Sequence, residues 1–116
     1  MPALDLTAVS QLPYVAWTGT PGTSNLCRVV LLPSFPVKIT IHNRDKATKD
    51  LVLSTDQTLT DGGAAPANQY FTITEQTLIL HGENRITGKQ GVTQLVFFSP
   101  SHTNINIELL LEEGDL

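Results

Sequence analysis

The sequence predicts an all-β chain: a small antiparallel β-sandwich or jelly-roll-like domain with an extended N-terminal arm. Three observations point to it. Short stretches alternate apolar and polar residues, as in Val37-Lys38-Ile39-Thr40-Ile41-His42 and Ile105-Asn106-Ile107-Glu108-Leu109, and a period of two sorts side chains onto opposite faces of a strand. Clusters of Gly, Pro, Asn and Asp separate these stretches, which is turn chemistry and not helix capping. No 3.6-residue apolar pattern persists for three turns in the 116 residues, a length that suits one domain around one core.

Residues 1–13 carry Leu4, Leu6, Val9 and Leu12 between two prolines. Leu4 and Leu6 are spaced as on a strand, whereas Val9 and Leu12 fit one helical turn. We read this segment as an extended arm able to dock on a neighbouring subunit, the alternative being a first edge strand of the domain that occupies residues 14–116. Tyr14 to Thr18 is a short strand, ended by the turn cluster 19–25. Cys27 to Leu32 is a continuous apolar run, as expected of a strand covered on both faces, and Pro33 and Pro36 stop it because neither can donate to a ladder. The alternating strand Val37 to Asn43 leads into the charged stretch 44–50, read as a solvated hairpin loop. Through it Leu51-Val52-Leu53-Ser54 is expected to pair back on the preceding strand.

The connection 55–69 is long for a compact domain and contains Ala64, Ala65 and Pro66. Such connections are often interface-forming, and small residues let one backbone approach another. Tyr70 to Thr74 and Gln76 to His81 resume the strand pattern. After two glycine-bearing loops, Gln94 to Ser99 and Asn104 to Leu111 are expected to close the domain as a hairpin around residues 100–103, followed by an acidic tail.

Hydrophobic residues make up 41% of the chain and charged residues 16%, below the roughly 25% charge usual in soluble domains. Thr, Asn, Gln and Ser therefore supply much of the surface, which suits strands and also faces that become protein contacts. The net charge is -4 with a pI near 5.1. No basic run is present to neutralise phosphates, so nucleic acid is not an expected partner. No apolar run approaches a membrane span, no secretion signal or glycosylation sequon is evident, and the chain is expected to be made in a cytoplasm. Cys27, the one cysteine, cannot form an internal bridge and reads as a small buried hydrophobe.

No constellation of residues in the sequence fits a reaction centre. His42, His81 and His102 lack the short spacing of zinc ligands. Asp45, Asp50, Asp56 and Asp61 lack the fixed offsets of a calcium loop, and Asp61-Gly62 reads more simply as a turn. Glu108 with Glu112 or Glu113 lies on a strand end and tail, not on the walls of a cleft. No Gly-x-Ser-x-Gly elbow or phosphate-binding loop occurs. A non-enzymatic protein without cofactor or metal is expected. Trp17, beside turn residues, is either an exposed anchor for a sugar or protein partner or, more plainly, a core-edge tryptophan. Phe97-Phe98 points to opposite faces, so both faces of that strand are covered or one ring is exposed.

From Val37 onward the order of features resembles the small β-sandwich virion proteins of tailed bacteriophages, of the capsid decoration or cement type. The likeness runs through Ile39-Thr40-Ile41-His42-Asn43, then Leu51-Val52-Leu53 after a polar loop. It continues through the Gly- and Pro-bearing connection 61–67 into Tyr70-Phe71-Thr72-Ile73, and ends with Leu95-Val96-Phe97-Phe98 and Ile105-Asn106-Ile107-Glu108-Leu109. It covers about two thirds of the chain by that reading and departs from the pattern before Leu32. The resemblance implies a homo-oligomer, typically a trimer, on a capsid lattice in the virion, with the major capsid or another virion protein as partner. Leu4, Leu6, Val9, Leu12, Trp17, Ala64, Ala65 and Pro66 are the expected contact residues. The alternative from the same pattern is a carbohydrate- or receptor-binding module of a tail fibre or spike.

Overall fold

A computed structural model describes residues 3–19, 26–33, 37–47, 49–64, 71–81, 93–99 and 105–113. These form nine strands: β1 (Leu4–Asp5), β2 (Tyr14–Gly19), β3 (Arg28–Leu31), β4 (Val37–Asn43), β5 (Leu51–Ser54), β6 (Phe71–Ile73), β7 (Thr77–His81), β8 (Gln94–Phe98) and β9 (Asn106–Glu113). They make two sheets, ordered β1-β3-β8-β5-β6 and β2-β9-β4-β7. Antiparallel pairs join β2 to β9, β3 to β8, β4 to β7 and β5 to β6. The chain from β2 to β9 is thus one long antiparallel hairpin rolled up into two facing sheets, the jelly-roll arrangement.

The core lies between the sheets. Val37, Ile39 and Ile41 of β4 and Ile107, Leu109 and Leu111 of β9 meet Val30, Leu51, Leu53, Leu95 and Phe97 from the opposite sheet. Along β4 and β9 burial alternates residue by residue, because the outer face of the β2-β9-β4-β7 sheet is open. Along β3, β5 and β8 it does not: all of Leu51–Ser54 and Gln94–Phe98 are buried. A second cluster, Cys27, Val29 and Val96 with Ala3, Leu31 and Leu59 against it, covers the outer face of that sheet. Phe97 faces the main core and Phe98 the opposite side of the strand, and both are buried.

Two expected hairpins are corrected. β5 does not pair back on β4 but lies between β8 and β6, since next to β4 the outward Val52 would be left in water. β8 and β9 likewise stand in different sheets, one covered on both faces and one on a single face. The N-terminal segment is extended and docked on its own domain. β1 pairs in parallel with β3, Leu4 opposite Val30, the Leu6 amide donates to the Leu31 carbonyl at 2.9 Å, and the Leu6 side chain is buried in the core. Leu4, Val9 and Leu12 pack partly against the same core, so this segment takes the edge-strand position.

Truncating a buried leucine removes its transfer energy and leaves a cavity, together about 2–5 kcal/mol. Leu6→Ala is accordingly expected to lower unfolding free energy in urea by at least about 2 kcal/mol. An arm with no place in the domain would give a change near zero.

Candidate functional site

Ionisable side chains in the interior serve the fold. Arg28 begins a strand buried on both faces and therefore needs a partner. Its Nε donates to Thr18 Oγ1 across the sandwich at 3.1 Å, and its Nη1 lies 3.5 Å from both Asp61 oxygens. Both side chains of this pair are at most 10% exposed. Asp61 Oδ1 also accepts the Val29 amide at 2.8 Å. Beside it, Gly62 donates to the Cys27 carbonyl and the Cys27 amide to Gly63 O, so residues 61–63 continue the edge of β3 where β1 stops short. Gly62 sits at φ 79°, a conformation that only glycine adopts freely.

Farther back, Gln57 Oε1 accepts the amides of Thr93 and Gln94. Gln94 Nε2 donates to the carbonyls of Asp56 and Leu59. These bonds fix the 55–64 segment over the second apolar cluster. Burial pushes the Cys27 thiol up, with Asp61 and then Asp56 adding to the effect, so the nucleophilic thiolate is disfavoured.

Asp45, Asp56 and Asp61, three of the four aspartates weighed as calcium ligands, are engaged separately. Asp45 Oδ2 accepts the Asn106 amide at 2.6 Å, and Asn43 Nδ2 donates to Lys49 O, closing the 44–49 loop. Asp56 accepts the amide and hydroxyl of Thr58. Among the described residues no three His, Cys, Asp or Glu side chains gather as metal ligands. A shallow depression of about 390 Å³ is lined by Ser10, Leu12, Pro13, Glu112 and Glu113.

The surface that stands out is the outer face of the β2-β9-β4-β7 sheet. Strand register sets its side chains in rows. One row reads Val15, Leu110, Thr40, Ile79, and the next Trp17, Glu108, His42, Thr77. On the other side of the first row, Glu112 stands opposite Lys38. Val15 is 62% exposed, Trp17 54% and Ile79 47%, so a largely apolar stripe, interrupted by Thr40 on β4, crosses the sheet in water. Charges flank it in pairs: Lys38 lies 3.7 Å from Glu112 and Arg44 3.8 Å from Glu108, while the Arg44 guanidinium stands 5.8 Å from the Trp17 ring centroid. At such exposure each contact contributes at most about 1 kcal/mol. They orient side chains and neutralise the face without holding the fold.

Of the residues expected from the sequence to make contacts, Trp17 is on this face, the exposed one of the two placements left open for it. Ala64 is exposed in the 55–64 segment, bridged to Leu26. Leu6 is buried, Leu4, Val9 and Leu12 are partly buried, and Ala65 and Pro66 lie outside the described residues, as does His102, weighed above as a zinc ligand. Sequence reasoning missed Val15, Leu110 and Ile79. The signal was in the runs Val15-Ala16-Trp17 and Leu78-Ile79-Leu80, where apolar residues occupy both parities of a strand with one open face. Comparison of the chain with protein-family models, with curated proteins and with solved structures finds no match.

Removing one member of a buried ion pair strands the other charge, at a cost of about 3–5 kcal/mol. Arg28→Met is expected to destabilise by about 3 kcal/mol in denaturant titrations. Hydrogen bonds from the Thr58 hydroxyl and amide hold the Asp56 carboxyl below the ordinary aspartate value. A depressed carboxylate contributes stability above its unfolded pKa and loses it as pH falls through the lower folded value. Thr58→Val should move the Asp56 titration, followed by NMR, up toward the ordinary aspartate value and reduce the loss of stability as pH falls through it.

Proposed function

We propose that the chain is a non-enzymatic virion structural protein, a capsid decoration or cement protein that stabilises a phage shell through protein–protein contacts. The observation that carries the contact reading is the apolar stripe Val15, Leu110, Thr40, Ile79, with Trp17 beside it, crossing an otherwise charge-paired sheet face. A sheet whose core side is closed and whose other side keeps large apolar residues in water has a surface suited to burial against another protein. The virion setting rests on the likeness in strand order from Val37 onward. The rolled-up hairpin is compatible with it, being an arrangement that capsid proteins share with lectins and other domains.

Stabilisation follows from mass action. A protein that binds the assembled shell and not its separated subunits favours assembly by the free energy of that binding, and symmetry multiplies many modest contacts. The partner is the major capsid protein or another virion protein, and the working location is the virion. A second reading, binding of a glycan or receptor, is favoured by one feature: Trp17 is an exposed ring with Glu108, His42 and Thr77 along its row, a flat apolar surface beside hydrogen-bonding groups.

Purified protein is expected to co-sediment with empty shells in a fixed, symmetric copy number. Trp17→Ala is expected to weaken that attachment at least tenfold with an unchanged thermal melt. Attachment unaffected by changes on this face would remove it as the working surface, and saturable glycan-array binding lost in Trp17→Ala would favour the second reading.

A further inference from the structure

We infer that the outer face of the β2-β9-β4-β7 sheet is self-complementary and pairs with a second copy of this chain about a twofold axis running along the strands between β4 and β9. This deepens the contact reading above by naming the partner of that face, and it rests on that reading.

The pattern of the face selects the axis. Across the sheet the order is β2, β9, β4, β7, so a twofold along the strands lays β9 of one copy over β4 of the other and β2 over β7, while each row keeps its level. Glu112 then meets Lys38 of the second copy, and Glu108 meets His42. In the middle row Val15 meets Ile79 and Leu110 meets Thr40, and Trp17 covers Thr77. Two of these five cross-copy meetings join a carboxylate to a basic group, one is apolar, and two set an apolar side chain on a threonine, and each occurs twice.

The other in-plane twofold, running across the strands along the apolar row, does the reverse. It lays Glu108 over Glu112 and His42 over Lys38, bringing carboxylates together and basic groups together, which is unfavourable. Sheets packed face to face lie about 10 Å apart with strands within about 30° of one another, a geometry compatible with a twofold along the strands. The closed, isologous result leaves no free copy of the face.

The area sets the strength. Strands of 6, 8, 7 and 5 residues, rising about 3.4 Å per residue and lying about 4.8 Å apart, present roughly 420 Å² per copy, or about 850 Å² per pair, the size of a weak, transient contact. Association is therefore expected toward the high end of the micromolar range, with both chains free to engage a shell through their sheet edges, so that losing the pair in Trp17→Ala weakens attachment by loss of bivalency.

Sedimentation of the full chain from about 1 µM to 1 mM is expected to show a monomer–dimer equilibrium. Val15→Asp and Ile79→Lys, both at exposed positions, are each expected to raise the dissociation constant at least tenfold with unchanged circular dichroism and melting. An equimolar mixture of the two variants should recover a dimer, because Asp at 15 of one copy then faces Lys at 79 of the other while native Val15 and Ile79 meet at the second contact. A wild-type chain that stays monomeric throughout, forms a trimer, or gives variants whose mixture remains monomeric would overturn the inference. Shell attachment is measured separately on the same proteins. Dimers that ignore shells would sink the virion reading alone, and monomers that bind shells through this face would sink the twofold alone.

Discussion

The structure depends on burying the β3-β8-β5 layer on both of its faces. Its inner face supplies Val30, Leu51, Leu53, Leu95 and Phe97 to the main core, and its outer face presents Cys27, Val29 and Val96. Among the described residues no third sheet covers that outer side. The 55–64 segment does so instead, and a segment outside the sheets must satisfy its polar groups some other way. Gln57, Gln94 and Asp61 provide those bonds, so a polar network positions an apolar lid. Arg28 ties the same segment to Thr18 in the facing sheet.

This arrangement divides labour between the two sheets. The covered sheet spends the charges of Arg28 and Asp61, and the thiol of Cys27, on its own integrity. The second sheet, closed on one side by the core, remains free on the other, and its charges meet in exposed pairs beside an apolar stripe. Low local net charge and modest apolar exposure suit reversible contact with protein surfaces, where repetition by symmetry supplies strength that no single contact has. A deep polar cleft with strongly perturbed acids and bases would point elsewhere. The groups that fill the buried polar positions are instead occupied in holding loops to strands.

Rolling a long hairpin has consequences for how the chain is read. The partners β2 and β9 lie at opposite ends of the sequence, and closing such a loop costs entropy before its contacts form. Local turns therefore say little about which strands meet. The polar loop after β4 reverses the chain, but it delivers β5 to the other sheet, and the connection after β8 does the same for β9.

The sequence by itself determined the class and, in its two kinds of strand, the two kinds of sheet. Alternating Val37-Lys38-Ile39-Thr40-Ile41 belongs to a layer wet on one side, and the apolar runs Cys27 to Leu32 and Leu95 to Phe98 belong to a layer dry on both. Side-chain parity carries that information locally. Tertiary structure alone decided pairing, because a turn fixes a reversal and not a sheet. It decided that Leu6 fills the core, since a short apolar segment fits its own domain and a neighbour equally well by pattern. It also decided that Val15 and Trp17 face water while the smaller Ala16 and Thr18 face inward. Thr18 is needed there to accept Arg28 from the opposite sheet, a demand that no window around β2 contains.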